Sequence, residues 1–149
     1  MRLFLLLLVV TAFNVQAQDI WSAEELNAFG QELSGRVQPN NMALMPNIIN
    51  EEGYFAHLLF REAGPGFSEM HEASSDLYFI ISGSASLVTG GTMVDPTENA
   101  TGEFRGTGIT GGTSRAIARG DIVHIPPGIP HHVIVGDGED ITYFLFKPR

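Results

Sequence analysis

The sequence predicts an all-β barrel or sandwich carrying one short N-terminal helix. Three observations predict it. Short apolar and β-branched runs recur from residue 54 to residue 146, broken by glycine and proline, the pattern of short strands joined by tight turns. Only the stretch after Ser22 spaces its apolar residues at helical intervals. Residues 120–132, GDIVHIPPGIPHH, read as a strand, a rigid turn and a histidine delivered just beyond it.

Residues 1–17 read as a signal peptide. Arg2 is a short basic start, residues 3–13 are apolar, and Val15-Gln16-Ala17 is a small-x-small cleavage site. The apolar stretch is too short to cross a bilayer comfortably; an uncleaved membrane anchor is the alternative reading. The expected location is secreted or periplasmic. Residues 18–50 are then an N-terminal helix and arm, and residues 51–149 the barrel domain.

The helix begins at Ser22, where Glu25 completes a capping box. Leu26, Phe29 and Leu33 form one apolar stripe. Gly30 weakens the helix and Gly35 ends it. The stripe packs a surface helix against the barrel, or forms a lid or dimer arm. Residues 37–50 read as extended arm and loop. Strands are expected at 54–61, 77–82, 85–88, 92–94, 115–118, 122–125, 132–135 and 141–146. The runs 85–88 and 92–94 flank Gly90-Gly91 and read as a hairpin. Residues 96–113 hold five glycines and little apolar content, and read as a long irregular segment.

Composition excludes several functions. The formal net charge is −9, which argues against nucleic acid and against anionic membranes as partners of the cleaved chain. There is no cysteine, so thiolate metal sites and thiol nucleophiles are excluded. No Ser-His-Asp order, nucleotide loop or zinc protease motif occurs. The Gly-Gly pairs at 90–91 and 111–112 precede no predicted helix, so they are not phosphate loops. Asn99-Ala100-Thr101 matches a glycosylation sequon.

In residues 120–132, Pro126 and Pro127 remove two backbone donors and stop the strand. Gly128 supplies a turn and His131 re-enters the next strand. Gly120, Pro126, Gly128 and His131 fill every position of the second motif of the cupin superfamily. Val135 stands where the family often has asparagine. Counting back from Gly83, Asp76 falls where the family has glutamate, His71 where it has a second histidine, and Glu69 where it has the first; Ala63 replaces its leading glycine. An alternative register makes His71 the first histidine, with Ala73 in place of the second, and leaves Glu72 on the wrong face.

This resemblance implies a cupin-type double-stranded β-helix, a jelly-roll barrel, with a small organic ligand or substrate in its cavity. It implies a divalent metal (Fe, Mn, Ni, Co or Zn) bound by Glu69, His71, Asp76 and His131. Such a set contains the two histidines and one carboxylate of a non-haem Fe(II) site, so a metal-dependent dioxygenase is the first reading; an isomerase, a lyase or a non-catalytic binding protein are the others. Tyr78 shares a face with Asp76 by period two, placing its phenol to serve catalysis or simply to pack. The resemblance also implies a homodimer. His132 alternates away from His131 and reads as a surface or interface residue, while His57 and His124 read as cavity-lining or core groups.

Overall fold

The computed structural model describes residues 20–148, so the expected signal peptide lies outside the described residues. Helix α1 (Ala23–Ser34) starts as its sequence dictates: the Ser22 hydroxyl accepts from the Glu25 N–H, and the Glu25 carboxylate accepts from the Ser22 N–H. Leu33 is buried, with Leu26 and Phe29 beside it, among Leu58, Phe60 and Phe144. The stripe is therefore spent on the barrel's outer face, not on a lid or a dimer arm. Gly30 does more than weaken the helix. A Cβ there would stand 2.7 Å from Thr142 Oγ1, so glycine is what lets the helix approach the sheet.

Eleven strands follow in the described residues: β1 (Met42–Asn50), β2 (Tyr54–Gly64), β3 (Ser68–His71), β4 (Asp76–Thr89), β5 (Thr92–Val94), β6 (Thr97–Ala100), β7 (Glu103–Gly106), β8 (Gly108–Thr110), β9 (Thr113–Ala118), β10 (Ile122–Ile125) and β11 (His131–Pro148). Two long strands organise them. The second half of β11 lies between β2 and the start of β4, with β1 beyond β2 and β10 beyond β4. The other half of β4 pairs with β9 and with the start of β11, which meets β3, then β7 and β6. Each long strand thus serves both walls, and the result is the expected curled β-barrel.

The bends explain why each long strand reads as two in the sequence. In β4 the bend is at Gly83, whose φ is 74° and where a Cβ would sit 2.0 Å from the Asp140 carbonyl oxygen. In β11 the register with β4 shifts between Ile134 and Ile141. Both strands bend at the same corner, so their ladder resumes beyond it and Gly83 does not end a strand.

Three other expectations are corrected. Residues 42–50 are an edge strand, interrupted where the register shifts between Met45 and Ile49; Pro46 and Asn47 at that bulge hide its periodicity. Residues 92–94 do not pair back on 85–88. They join β8 in a separate ribbon, because β9 already occupies that flank of β4. Residues 96–113 are not irregular but hold β6, β7 and β8, and β6 is exposed along its whole length, so it carries no apolar signal.

Alternation along the strands sorts side chains into two layers. Leu59, Tyr78, Ile80, Leu87, Ile125, Val133, Ile141 and Tyr143 fill the barrel, while Leu58, Phe60 and Phe144 face the helix. The interior is not wholly apolar: Arg61, His71, Asp76, His131 and Lys147 are also buried. Among the described residues no helix is long and apolar enough to cross a membrane.

Candidate metal centre

Three strand ends meet at one end of the barrel. His71 closes β3, Asp76 opens β4 and His131 opens β11. The proline-glycine turn is tied to this place, because the Gly128 N–H donates to the His71 carbonyl at 2.8 Å. Gly128 takes a φ of 75° there, a conformation that favours glycine. His131 then enters the ladder opposite Glu69.

One side-chain donor atom from each of His71, Asp76 and His131 lies within 4.8 Å of the others. Asp76 Oδ2 is 3.4 Å from His71 Nε2 and 3.3 Å from His131 Nε2. The other nitrogen of each ring is already engaged. His131 Nδ1 is 3.0 Å from the Ile129 carbonyl oxygen, and His71 Nδ1 is 2.5 Å from Glu103 Oε2. Both partners are acceptors, so each Nδ1 carries the hydrogen, and each ring in its neutral form turns an Nε2 lone pair toward Asp76. His131 Nε2 is buried without a hydrogen-bond partner. Two imidazole lone pairs and a carboxylate oxygen facing one another repel unless a proton or a cation lies between them. A divalent ion satisfies all three, and the Glu103–His71 bond is the outer carboxylate contact that metal-bound histidines usually make. The donor set fits a divalent metal of the iron, manganese, nickel, cobalt or zinc kind.

Electrostatics support an ionised Asp76. Burial opposes its charge, but contact with the His131 and His71 imidazoles and with the Lys147 ammonium prevails and holds its carboxyl well below the usual carboxylate range. Burial also opposes protonation of His71, yet Asp76 outweighs it and raises that imidazole. Tyr78 donates its hydroxyl to Asp76 Oδ2 at 3.2 Å, and burial keeps its phenol well above its ordinary value and so protonated.

The structure brings together three of the four expected ligands and places the fourth elsewhere. Glu69 shares the strand face of His71, but its carboxylate is 3.5 Å from Arg61 Nη2 and 3.4 Å from Arg105 Nη2. Arg61 is buried at 3% exposure and donates its Nε–H to the Tyr143 hydroxyl at 2.8 Å. Both guanidinium groups also lie against the Phe67 ring. Glu69 is therefore engaged by two arginines and stands outside the three-donor cluster. Glu72, the residue of the alternative register, is exposed and lies outside the cluster.

Two neighbours were not singled out in the sequence. Lys147 Nζ is 3.4 Å from Asp76 Oδ1 and 3.8 Å from Glu103 Oε2. A signal for Lys147 existed, since period two puts it on the face of Tyr143 and Leu145. Glu103 gave none, because it lies in the segment read as irregular. The remaining histidines have structural partners or none of note. His132 is not a surface residue: it is buried and donates Nε2–H to the Pro65 carbonyl at 3.0 Å. His57 Nδ1 accepts from the Asn47 N–H at the β1 bulge, and His124, though exposed, lines a cavity as expected.

A cavity of about 510 Å³ opens at the seam between β9 and β10, which both pair with β4 and not with each other. Leu87, Ile117, Val123, Ile125 and Ile129 line it, with Arg115 among its polar walls. The three donors do not line it. It adjoins them nonetheless, because Ile125 pairs with Asp76 and the Ile129 carbonyl holds His131.

No protein-family model matches the sequence, and no curated protein matches it. Solved structures do. The chain is similar to the DMSP lyase DddQ of Ruegeria pomeroyi, at 19% identity over 73% of this chain and 47% of that one, with a TM-score of 0.52. It is similar to the polyketide cyclase RemF of Streptomyces resistomycificus, at 15% identity over 72% and 65% of the two chains, TM-score 0.52. It is also similar to Pac13, a nucleoside dehydratase from Streptomyces, at 13% identity over 74% and 72%, TM-score 0.52. The chain thus spans about half the length of DddQ and under two thirds of RemF. These are cupin-fold proteins, and the likeness is one of fold: this chain has the cupin fold.

Proposed function

We propose that this protein is a divalent-metal-dependent enzyme acting on a small organic molecule. The observation that carries the reading is the convergence of two imidazole Nε2 atoms on the Asp76 carboxylate, each ring fixed through its Nδ1 by an acceptor. A metal held by His71, Asp76 and His131 would supply Lewis acidity, polarising a carbonyl or carboxylate of the substrate. Tyr78 keeps its proton and presents it beside Asp76, and Lys147 brings a second proton-bearing group to the same carboxylate. Proton donors so placed favour an elimination or isomerisation, of the lyase kind, with the Tyr78 phenol as a hydrogen-bond donor to charge that develops on the substrate. The seam cavity beside the donors, with apolar and polar walls, would take the substrate's body. That a lyase, a cyclase and a dehydratase share the fold supports enzymatic use of such a barrel.

Dioxygenase chemistry is the second reading, favoured by the donor set itself, since two histidines and one carboxylate leave positions open on the metal. Reconstitution with each of Fe(II), Mn(II), Ni(II), Co(II) and Zn(II), followed by a screen of small organic acids, distinguishes them. Product formation under argon supports the lyase reading. Turnover that requires and consumes O₂ supports the dioxygenase. Tight ligand binding without turnover under any metal leaves a binding protein, and a folded chain that takes up no metal overturns both enzymatic readings.

We further propose that residues 1–17 direct export and are removed, on the strength of Arg2, the apolar stretch and the Ala17 site. Mass spectrometry of protein from the native host should find a chain beginning at Gln18; a full-length soluble chain overturns this. Homodimerisation is proposed through the exposed edge of β1, where Leu44 is 41% exposed. Light scattering at micromolar concentration should give twice the monomer mass, and a clean monomer refutes it.

A further inference from the structure

Lys147 is the one lysine of the described barrel interior whose ammonium stands against the cluster, and its placement is specific. It lies near the end of β11, opposite Phe55 of β2. Strand alternation turns it inward with Tyr143 and Leu145, and its side chain is 10% exposed. Its two partners, Asp76 and Glu103, flank the same imidazole: Asp76 Oδ2 is 3.4 Å from His71 Nε2, and Glu103 Oε2 is 2.5 Å from His71 Nδ1. Lys147 therefore closes a ring running through Asp76, His71, Glu103 and back to itself.

The two oxygens of Asp76 are divided by this ring. Oδ2 faces both imidazoles and accepts from Tyr78. Oδ1 is buried, makes no hydrogen bond, and has the ammonium as its neighbour at 3.4 Å. A lysine is seldom buried unless paired, and this one is paired with a carboxylate that three other groups also use. Its charge repels a second cation at the same carboxylate.

We propose that Lys147 is a positioning residue that confines Asp76 to binding metal through one oxygen and lowers the affinity of the centre. The proposal rests on the reading of His71, Asp76 and His131 as a metal centre. With the ammonium on Oδ1, only Oδ2 is free to bind. Without it, Asp76 is free to chelate through both oxygens, and the repulsion is gone. The direction of the effect separates this role from a structural one: loss of a merely structural residue loosens a metal site, whereas loss of Lys147 tightens this one.

Calorimetric titration of metal-stripped, folded protein with Mn(II) and Co(II) tests it, comparing wild type with Lys147→Met, Lys147→Gln and Lys147→Arg. The neutral Met and Gln variants should bind about tenfold tighter or more, with a visible Co(II) spectrum altered from wild type. Lys147→Arg, which keeps the charge, should restore wild-type affinity and spectrum. If wild type binds metal and the neutral variants bind no tighter, the proposal falls while the metal centre stands. If wild type binds none and the neutral variants do, the proposal stands and the native metalloenzyme reading falls. If none binds, both fall. Failure of both neutral variants to fold also overturns it, since a charge placed to tune a metal is not needed to hold the barrel.

Discussion

Gly128 and His71 are joined by a backbone hydrogen bond of 2.8 Å, so the turn that delivers one histidine is anchored to the strand that ends in the other. The distance between the two imidazoles, 5.3 Å between ring centroids, depends on a turn that only positive φ allows. Gly128→Ala meets no atom within 4 Å but keeps the 75° φ, so its cost is backbone strain of about 1 kcal/mol. We expect a melting temperature a few degrees lower and a fall in metal affinity that persists well below the melting range. Unchanged affinity would show that the turn does not set the centre.

The donor set makes a second prediction. His71→Ala and His131→Ala should each abolish stoichiometric metal, because two remaining donors cannot rebuild the site. Asp76→Ala should weaken binding strongly, and Glu72→Ala should leave it unchanged. Elemental analysis after dialysis decides it. Metal lost in Glu72→Ala but kept in His131→Ala would refute this geometry.

Glu69→Ala separates the two carboxylates that the sequence groups together. Because Glu69 is engaged by Arg61 and Arg105, metal stoichiometry should survive. Stability should not: Arg61 is left buried with its charge uncompensated and its Nη1 already without a hydrogen bond, at a cost of about 2 kcal/mol or more. Urea unfolding measures the loss, and a variant as stable as wild type but devoid of metal would make Glu69 a ligand after all.

His132 gives a pH dependence. Burial lowers its affinity for a proton in the folded chain, outweighing the hydrogen bond to Pro65. A histidine depressed on folding contributes stability that is present above its unfolded value, near 6.5, and lost as pH falls through its folded value. Stability should decline from pH 7.5 to pH 5.5, and His132→Gln, which still offers a donor to Pro65, should flatten that decline. Equal slopes for the two proteins would exclude His132 as the group responsible.

Much of the site was legible because strand geometry and the cupin spacing are both local. The positions of His71, Asp76 and His131 follow from motif spacing, and Tyr78 from alternation with Asp76. What lay outside was set by partners distant in the chain. Glu69 occupies a motif position and a cavity-side face, yet Arg61 on β2 and Arg105 on β7 hold it. No spacing within β3 could announce two arginines brought in from other strands.

The sequence by itself determined the strand-rich architecture, the capped helix and the turn that carries His131, since each depends on local backbone chemistry. Only the tertiary structure decided which charged groups share a buried space. It joined the split strands at a common corner, moved 92–94 from a hairpin onto β8, and brought Glu103 and Lys147 to His71 and Asp76. The reason is physical. Backbone preference acts over a few residues, whereas a buried charge must find an opposite charge or a donor wherever the packed strands present one, and that choice is made across the barrel rather than along the chain.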